Sequence, residues 1–375
     1  MYRNTWMEIN LDAIADNVRR VRNICGKKII AVLKADGYGC GDSQVLQAVL
    51  EAGAEMVAVS SLDEALMLRN EGYQGGILIL GATDPADVPT LILNKVTAAA
   101  YSMEWVQRAV RNDCVGLKVH LKVDTGMNRI GFKDPGELHE AFDLLYENGC
   151  SIEGIFTHFH SADSDPAATQ LQYERFAAAV GSLHYPFEWI HCDNSDATVS
   201  FKDPLSNACR LGVSMYGVSS YLKDLRYPIS LHSQVVMVKT VPAGETIGYG
   251  ATYKTSKDEI IATIPIGYAD GFVRANQGRK VYVDGQYGEV TGRVCMDQIM
   301  VRLDHPVEVG TPVEIFGPHI HLEQMAEELH TIPYEIICLI SGRVTRTYIW
   351  HGEDLEENQR LLKSEATVKQ EEPNA

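Results

Sequence analysis

The chain has 375 residues, of which 45% are hydrophobic and 22% charged, as in a globular protein with a large core. Its net charge of −17 argues against a broad basic surface for nucleic acids or anionic membranes, so we expect neither partner. No apolar run is long enough to cross a bilayer, the first residues lack a signal-peptide core, and the 8 scattered cysteines form no CxxC pair, which together predict a cytoplasmic protein with reduced thiols.

The first part of the chain alternates helical patterns with short apolar runs. Leu11, Ile14, Val18 and Val21 recur at helical spacing, which predicts a first helix. The β-type runs that follow are mostly continuous in apolar residues, as in parallel strands covered on both faces: Ile29–Leu33, Met56–Val59, Gly76–Leu80, Val96–Ala100, Leu117–Val123, Ile152–Phe159, Glu188–His191 and Cys209–Tyr216. This α/β alternation predicts a (β/α)8 TIM barrel over residues 1–224, with a doubly wound open sheet as the alternative.

Beyond this region, strand patterns follow one another without long helices. Asp284-Gly285 between two of them is a hairpin signal. We predict a C-terminal, mainly antiparallel β domain over residues 225–352. Residues 353–375 are rich in charge and poor in apolar side chains, which predicts a disordered tail.

Lys34 directly follows the first apolar run of the predicted barrel. Tyr38 lies four residues later, inside a glycine-rich turn. Burial at the mouth of a strand lowers the pKa of a lysine amine, and a neutral amine can form a Schiff base with an aldehyde cofactor. Taken alone, Lys34 is better explained as a solvated residue that ends a strand, so the rest of the chain must support a cofactor role.

Further polar residues follow the later strands, where barrel enzymes place their chemistry. They are Lys122 and Arg129 for the fifth strand, His158 and His160 for the sixth, Asn194 and Ser195 for the seventh, and Arg210, Gly212 and Val213 for the eighth. The last two loops of such barrels often bind phosphate. Ser195, Gly212 and Val213 are therefore predicted to offer a hydroxyl and backbone N–H groups to a phosphate.

Each of these residues also has a structural interpretation. His158 and His160 share a strand face and could ligate a metal, but no acidic or cysteine partner has ligand spacing, so we predict no metal. An arginine such as Arg210 could form an ordinary ion pair. Asn194 could cap the following helix.

The ordered set of motifs resembles that of the alanine racemases, pyridoxal 5′-phosphate (PLP) enzymes of fold type III, over about residues 3–350. The motifs are Ala31–Gly39, Lys122–Gly131, Thr157–Phe159, Asn194-Ser195, Asn207–Gly212, Ile247–Tyr253, Gly267–Gly271 and Gly292–Gln298. The resemblance implies an isomerase that interconverts L- and D-alanine. D-alanine is a D-amino acid that serves as a precursor of peptidoglycan. It also implies a homodimer with shared active sites.

The resemblance implies a two-base mechanism. Lys34 holds PLP as a Schiff base and is one base, and Tyr249 from the partner subunit is the other. The further roles that it implies are Arg210 at the pyridine nitrogen, Tyr38, Asn194, Ser195, Gly212 and Val213 around the cofactor, His158 against its ring, Arg129, Tyr268, Met296 and Asp297 near the substrate, and Lys122 as a carbamylation site.

The chain departs from the family pattern at two places. Gly342 in Ile340-Ser341-Gly342-Arg343 stands where the family usually has a tyrosine that narrows the substrate side. Its absence predicts a broadened or serine-preferring racemase as an alternative, unless Tyr253 or Tyr348 fills the gap. Asp36-Gly37 replaces the usual Asn-Ala, with no predicted consequence.

Two other classes of protein share parts of this pattern. Basic amino-acid decarboxylases use a similar two-domain plan but need a cysteine base, which the motifs around Tyr249 and Cys295-Met296-Asp297 disfavour. A non-enzymatic PLP carrier protein resembles the barrel alone, so a second domain that carries Tyr249 argues against it.

Overall fold

The structure, a computed structural model, describes residues 3–358, with the side chains of residues 355–358 left out. It divides into two compact units. The barrel unit spans Leu11–Pro228, and the sheet unit combines residues 3–10 with residues 229–358. Among the described residues, no helix is both long enough and apolar enough to span a membrane.

The strands and helices alternate in the barrel unit, whereas strands dominate the sheet unit. In chain order the strands are β1 (Thr5–Asn10), β2 (Lys28–Val32), β3 (Met56–Val59), β4 (Gly76–Ile79), β5 (Ala98–Ala100), β6 (Lys118–Lys122), β7 (Ser151–Phe156), β8 (Trp189–His191), β9 (Ala208–Leu211), β10 (Ile229–Gln234), β11 (Met237–Val241), β12 (Thr246–Ile247), β13 (Tyr253–Lys254), β14 (Glu259–Ile264), β15 (Lys280–Val283), β16 (Gln286–Thr291), β17 (Ile299–Leu303), β18 (Pro312–Phe316), β19 (Thr345–Trp350) and β20 (Glu353–Asn358). The helices are α1 (Leu11–Cys25), α2 (Lys34–Tyr38), α3 (Asp42–Glu51), α4 (Leu62–Asn70), α5 (Val88–Leu93), α6 (Met103–Arg111), α7 (Pro135–Glu147), α8 (Pro166–Leu183), α9 (Ala197–Ser200), α10 (Leu322–Glu328) and α11 (Pro333–Leu339).

The barrel closes through two parallel four-stranded arcs, β9-β2-β3-β4 and β5-β6-β7-β8. A parallel bridge between Leu78 and Thr97 joins β4 to the entry of β5. On the other side, the backbone N–H of Arg210 in β9 donates to the carbonyl of Asp193, just after β8. A ring of parallel strands with intervening helices is a (β/α)8 barrel, so the predicted fold is confirmed and the open-sheet alternative is wrong.

Helix α1 illustrates how the sequence pattern positions the barrel's outer layer. Leu11, Ile14, Val18 and Val21 are all buried on its inner face, as their spacing predicts. The helix ends before Gly26, whose φ of +63° places it in the left-handed region, and its N–H donates to the carbonyl of Arg22.

The sheet unit contains a ten-stranded sheet in the order β11-β14-β17-β16-β15-β18-β10-β1-β19-β20. All neighbouring pairs are antiparallel except β1 and β19. The predicted hairpin is present: Asp284 and Gly285 join β15 to β16 with φ values of 45° and 79°, as a tight type I′ turn requires. The predicted antiparallel β domain is therefore confirmed as an architecture.

The structure differs from the predicted domain limits at both ends. Strand β1 belongs to the sheet unit, where it pairs with β10 and β19, although we assigned residues 1–224 to the barrel. Residues 353–358, assigned to a disordered tail, form β20 because a two-residue turn at His351-Gly352 returns the chain along β19. The rest of the predicted tail, residues 359–375, lies outside the described residues.

Candidate active site

Lys34 lies at the carboxyl end of β2, where the chain makes a short left-handed turn. Ala35, Asp36 and Tyr38 have φ values of 54°, 57° and 58°. Left-handed geometry costs about 1–2 kcal/mol for each non-glycine residue, so surrounding contacts must hold the turn in place. The N–H of Ala35 donates to Oε1 of Glu64 over 2.8 Å, and the Lys34 side chain remains exposed.

Asp36 and Gly37, the replacements noted in the sequence, both contact the start of α3. Oδ1 of Asp36 accepts a hydrogen bond from the N–H of Asp42 over 3.2 Å. A Cβ at Gly37, where φ is +58°, would lie 3.3 Å from the nitrogen of Asp42. Asp36 therefore ties the lysine turn to the next helix, and glycine fits a close approach in a conformation that disfavours other residues.

Arg210 on β9 is buried in the barrel, with 3% of its surface exposed. Its Nη1 donates to Nδ1 of His191 over 2.7 Å, and its Nη2 donates to the carbonyl of Thr157 over 2.7 Å and that of Cys192 over 3.0 Å. Burial lowers the pKa of Arg210 to about 10, so the guanidinium keeps its charge at neutral pH. This arrangement fixes a cation against the carboxyl ends of β7 and β8.

His158 lies two residues after β7 and beside the same guanidinium. Its Nδ1 is 3.3 Å from Nη2 of Arg210. Burial, followed by the charge of Arg210, holds the pKa of His158 well below its usual range, so the imidazole is neutral. A neutral flat ring next to a cation suits packing against a cofactor ring, and the nearby arginine disfavours a metal at this histidine.

Ser195 and Gly212 meet at the ends of β8 and β9. Oγ of Ser195 accepts hydrogen bonds from the N–H of Gly212 over 3.0 Å and from that of Ser214 over 3.4 Å. A Cβ at Gly212 would lie 2.6 Å from Oη of Tyr38, so only glycine allows this phenol to approach the loop. The N–H groups of Gly212 and Ser214 hold the serine in place. The hydroxyls of Ser195 and Tyr38 then form, with this loop, a cradle whose donors fit a phosphate.

Asn194 and Val213, two further residues of the predicted cofactor site, flank this cradle. Oδ1 of Asn194 accepts a hydrogen bond from the N–H of Ala197 over 3.0 Å, which caps the start of α9 as the structural interpretation predicted. Val213 begins the single helical turn that follows Gly212. Both residues therefore belong to the short helical segments on either side of the cradle.

Lys122 ends β6 and is almost fully buried. Its Nζ donates to the carbonyl of Val123 over 2.9 Å. Burial, reinforced by the charge of Arg210, lowers the pKa of Lys122 to about 7, so a large share of the amine is neutral at physiological pH. Arg129, in the loop that follows, is exposed.

Cys192, Asp193 and Asp203 bring ligand-type atoms within 4.8 Å of one another in the barrel unit. The ammonium of Lys27 lies 2.7 Å from Asp193 Oδ2 and 3.1 Å from Asp203 Oδ2. These carboxylates hold the pKa of Lys27 above its usual range. Because the ammonium of Lys27 already contacts both carboxylates, we interpret this group as an ion-pair cluster in the chain after β8.

Tyr249 is 71% exposed on a short turn of the sheet unit. Gly248 and Gly250 flank it with φ values of +73° and +70°. A Cβ at Gly250 would lie 3.0 Å from Nη1 of Arg293, so a guanidinium packs against this turn. No role was assigned to Arg293 from the sequence. Its place within the Gly292–Gln298 motif is the feature of the sequence that could have drawn attention to it.

Tyr268, Met296 and Asp297, predicted near the substrate, lie in two loops that contact each other. The backbone N–H of Tyr268 donates to the carbonyl of Cys295 over 3.1 Å. Nη2 of Arg343, the residue after Gly342, donates to Oδ1 of Asp297 over 2.6 Å. The structure thus brings the Gly342 segment against the predicted substrate loops.

Neither tyrosine considered as a substitute at Gly342 is available. The hydroxyl of Tyr253 donates to Oε2 of Glu259 over 2.6 Å. Tyr348 is buried within β19, in register with Ile9 of β1. Gly342 itself is exposed.

The predicted residues therefore form two groups. The first group lies at the carboxyl ends of the barrel strands and consists of Lys34, Tyr38, Lys122, Arg129, His158, Asn194, Ser195, Arg210, Gly212 and Val213. Tyr249, Tyr268, Met296 and Asp297 lie in loops of the sheet unit. Within the barrel unit, sequence reasoning missed His191, which directly contacts Arg210 and ends the seventh predicted strand.

Comparisons with known proteins place both units in the same family. The family profile "Alanine racemase, N-terminal domain" matches residues 9–220, and "Alanine racemase, C-terminal domain" matches residues 228–348. Alanine racemase 1 of Bacillus subtilis (strain 168) is 41% identical, and the match covers 96% of this chain and 97% of that protein.

Solved structures agree with the sequence matches. The alanine racemase of Bacillus anthracis with bound L-Ala-P superposes with a TM-score of 0.92 at 37% identity, over 96% of this chain and 99% of that one. A histidine racemase from Leuconostoc mesenteroides subsp. sake superposes with a TM-score of 0.86 at 29% identity, over 93% of this chain and 99% of that one.

Proposed function

The chain belongs to the alanine racemase family, and on that premise we propose that it interconverts L- and D-alanine with PLP held on Lys34. The observation that carries this proposal is the combination of a buried, charged Arg210 with the donor cradle at Ser195 and Gly212 on one end of one barrel. A phosphorylated heteroaromatic aldehyde needs both a phosphate site and a partner for its ring nitrogen. The chemistry of the donors fits PLP.

When bound, PLP stabilises negative charge at the Cα of an amino acid and so makes its α-proton removable. The remaining work falls to side chains. We propose that Nζ of Lys34 and Oη of Tyr249 exchange the α-proton on opposite faces of the amino acid. With a base on each face, the reaction runs in both directions. Arg210 gives up its proton only with difficulty and therefore remains a donor rather than an acid at the ring nitrogen.

Lys122 and Arg129 have a proposed supporting role. A neutral buried amine reacts with carbon dioxide, and the lowered pKa of about 7 favours this neutral form of Lys122. The resulting carbamate would carry a negative charge in a region that contains Arg210 and Arg129. We propose that this charge orients Arg129 toward the substrate carboxylate. In the sheet unit, Met296 and Asp297 are the residues proposed to lie near a substrate.

Labelled bicarbonate tests the modification of Lys122 directly. After equilibration with isotopically labelled bicarbonate, the protein should show one carbamate carbon resonance that is absent from Lys122→Met. A spectrum without this resonance in the unsubstituted protein would contradict carbamylation and leave the remaining proposal intact.

The exposure of Tyr249 supports a homodimer with shared sites, in which each sheet unit offers this tyrosine to the barrel of the partner subunit. We propose a cytoplasmic enzyme that supplies D-alanine, the precursor needed for peptidoglycan. The match of the C-terminal family profile to residues 228–348 disfavours a PLP carrier protein, which would need only the barrel.

A broadened substrate range is the second candidate function. Gly342 lacks a side chain next to Arg343, which contacts the Asp297 loop, and the structural relative that is a histidine racemase has the same fold. Serine, which adds one hydroxyl to alanine, is the first substrate to test. If alanine and serine were assayed side by side and only alanine turned over, this candidate would fail.

The main test follows the optical rotation of L-alanine in the presence of purified holoenzyme. We expect racemisation to be lost in both Lys34→Ala and Tyr249→Phe, whereas the visible absorbance band of the bound cofactor should be lost only in Lys34→Ala. A cofactor band with no racemisation of any amino acid in the unsubstituted protein would favour the carrier function.

A further inference from the structure

Two cysteines outside the proposed catalytic groups face each other in the barrel unit. Cys25 is the last residue of α1, and Cys209 lies on β9. Their Sγ atoms are 3.8 Å apart, within the range of a sulfur hydrogen bond. A disulfide requires an S–S distance of about 2.0 Å, so a local movement of roughly 2 Å would close this pair.

The two thiols differ in the way that a dithiol switch needs. Cys25 is partly exposed, whereas Cys209 is fully buried. The hydrogen bond from Cys209, together with the N–H and the charge of Lys27, lowers the pKa of Cys25 to about 7. The same hydrogen bond, together with burial, raises the pKa of Cys209. Cys25 is therefore the accessible nucleophile, and Cys209 is positioned to react with it after oxidation.

We propose that Cys25 and Cys209 form a peroxide-sensitive dithiol whose closure to a disulfide slows the enzyme reversibly. In the first step, the Cys25 thiolate attacks one oxygen of hydrogen peroxide, an S–O bond forms, the O–O bond breaks, and the hydroxide that leaves takes up a proton to become water. In the second step, the sulfur of Cys209 attacks the sulfenic acid of Cys25, the S–S bond forms, and the thiol proton leaves with the hydroxyl as water. Overall, two thiols are oxidised and one peroxide is reduced to water.

The position of Cys209 links this bond to catalysis. Arg210 is the next residue on β9, so a displacement of Cys209 would move the backbone that carries the guanidinium, which contacts His191 at the end of β8. A small displacement of a positioning group can lower the rate by up to about 100-fold. This consequence depends on the proposed function, whereas formation of the disulfide does not.

A second close pair of cysteines provides a matched control. Sγ of Cys150 lies 3.3 Å from the carbonyl of Cys114, and both residues are buried. Burial holds the pKa of Cys150 above its usual range. Because both cysteines of this pair are buried, the proposal expects them to remain reduced under the same treatment.

The experiment treats the reduced holoenzyme with hydrogen peroxide and then counts thiols under denaturing conditions. We expect a loss of two of the 8 thiols, with a Cys25–Cys209 linked peptide in the mass spectrum. Racemisation should fall about tenfold and recover with dithiothreitol. Cys25→Ser, a change at a partly exposed helix end, should retain its activity under peroxide, whereas Cys114→Ser should respond like the unsubstituted protein.

Three results would overturn the proposal. They are the absence of the linked peptide, an equal loss of activity in Cys25→Ser, and a linked peptide that forms with unchanged racemisation. If the untreated protein racemised no amino acid, the proposed function would fail, while the linked peptide would still report on the dithiol.

Discussion

Nη1 of Arg210 donates to Nδ1 of His191 over 2.7 Å, and this contact determines the protonation of two buried histidines. A guanidinium only donates, so Nδ1 of His191 accepts and its proton lies on Nε2. That proton is donated over 2.9 Å to Nδ1 of His120. Burial lowers the pKa of His120 to about 3 and that of His191 well below its usual range, so both rings are neutral. Arg210 is therefore held by an oriented chain of neutral rings.

Loss of this chain should weaken catalysis without removing any group that touches the substrate. We predict that His191→Leu lowers kcat/KM for alanine by roughly 10- to 100-fold, because hydrogen bonds to charged groups contribute about 1.5–3 kcal/mol. The cofactor absorbance should shift as Arg210 loses its orientation. His184→Asn, at an exposed histidine with a φ of +48°, is the control and should retain full activity. If His191→Leu had the same kcat/KM and the same cofactor absorbance as the unsubstituted protein, His191 would not position Arg210.

The buried Lys122 predicts a specific dependence of stability on pH. Its pKa is about 7 in the folded chain, against 10.5 for an ordinary lysine. Below pH 7 the amine is charged in both states, so the folded state bears the whole cost of burial. Between these pKa values the unfolded chain binds the additional proton, and folding stability rises with pH.

Denaturant unfolding in buffer free of carbon dioxide measures this effect. Relative to Lys122→Met, the unsubstituted protein should gain free energy of unfolding as the pH rises from about 7 to 10.5. If the free energy of unfolding changed with pH in the same way for the two proteins across this interval, folding would not change the pKa of Lys122.

The left-handed turn after Lys34 predicts a role for Asp36 in stability. Asp36→Ala removes the acceptor for the N–H of Asp42 and places alanine at a φ of 57°, so it should cost about 1–2 kcal/mol. Thermal unfolding should then shift downward by roughly 2–4 °C or more. Asp36→Asn retains a side-chain acceptor and tolerance for this backbone region, and it should unfold near the unsubstituted protein. Equal losses in both variants would assign the effect to charge instead.

Gly342 predicts which substitution narrows the substrate range. Gly342→Tyr should restore bulk beside the Asp297 loop and lower kcat/KM for serine relative to alanine by about tenfold or more. Leu93→Tyr, at an 81% exposed position of the barrel unit, is the control for an added surface tyrosine. If the ratio of kcat/KM for serine to kcat/KM for alanine were the same in all three proteins, Gly342 would not determine substrate preference.

The sequence predicted the barrel because its strands are short, continuously apolar and separated by helical patterns. It did not predict that β1 belongs to the sheet unit. Buried side chains alternate along β1, as in any half-buried strand, at Thr5, Met7 and Ile9. The two strands that pair with β1 are β10 and β19, which both lie far along the chain. A local pattern identifies a strand, while long-range packing selects its neighbours.

The same difference between local patterns and long-range packing applies to the residues of the site. Motifs predicted Lys34, Arg210 and Ser195 because their chemistry and their order along the chain are distinctive. The contact between Arg210 and His191 could not be predicted, because it depends on the side-chain directions of two neighbouring barrel strands. The return of β20 was missed for another reason. The tail was predicted from its charged composition alone, whereas the chain turns at His351-Gly352, whose φ values of 55° and 74° form the hairpin.

The central claim is that Lys34 and Tyr249 act as bases on opposite faces of the amino acid. Proton exchange at Cα in deuterated water measures each face separately in the Tyr249→Phe holoenzyme. The proposal predicts that this variant loses racemisation but still exchanges the α-proton of one enantiomer of alanine, through the remaining base. Exchange of both enantiomers at rates near those of the unsubstituted enzyme, or continued racemisation, would contradict the two-base mechanism.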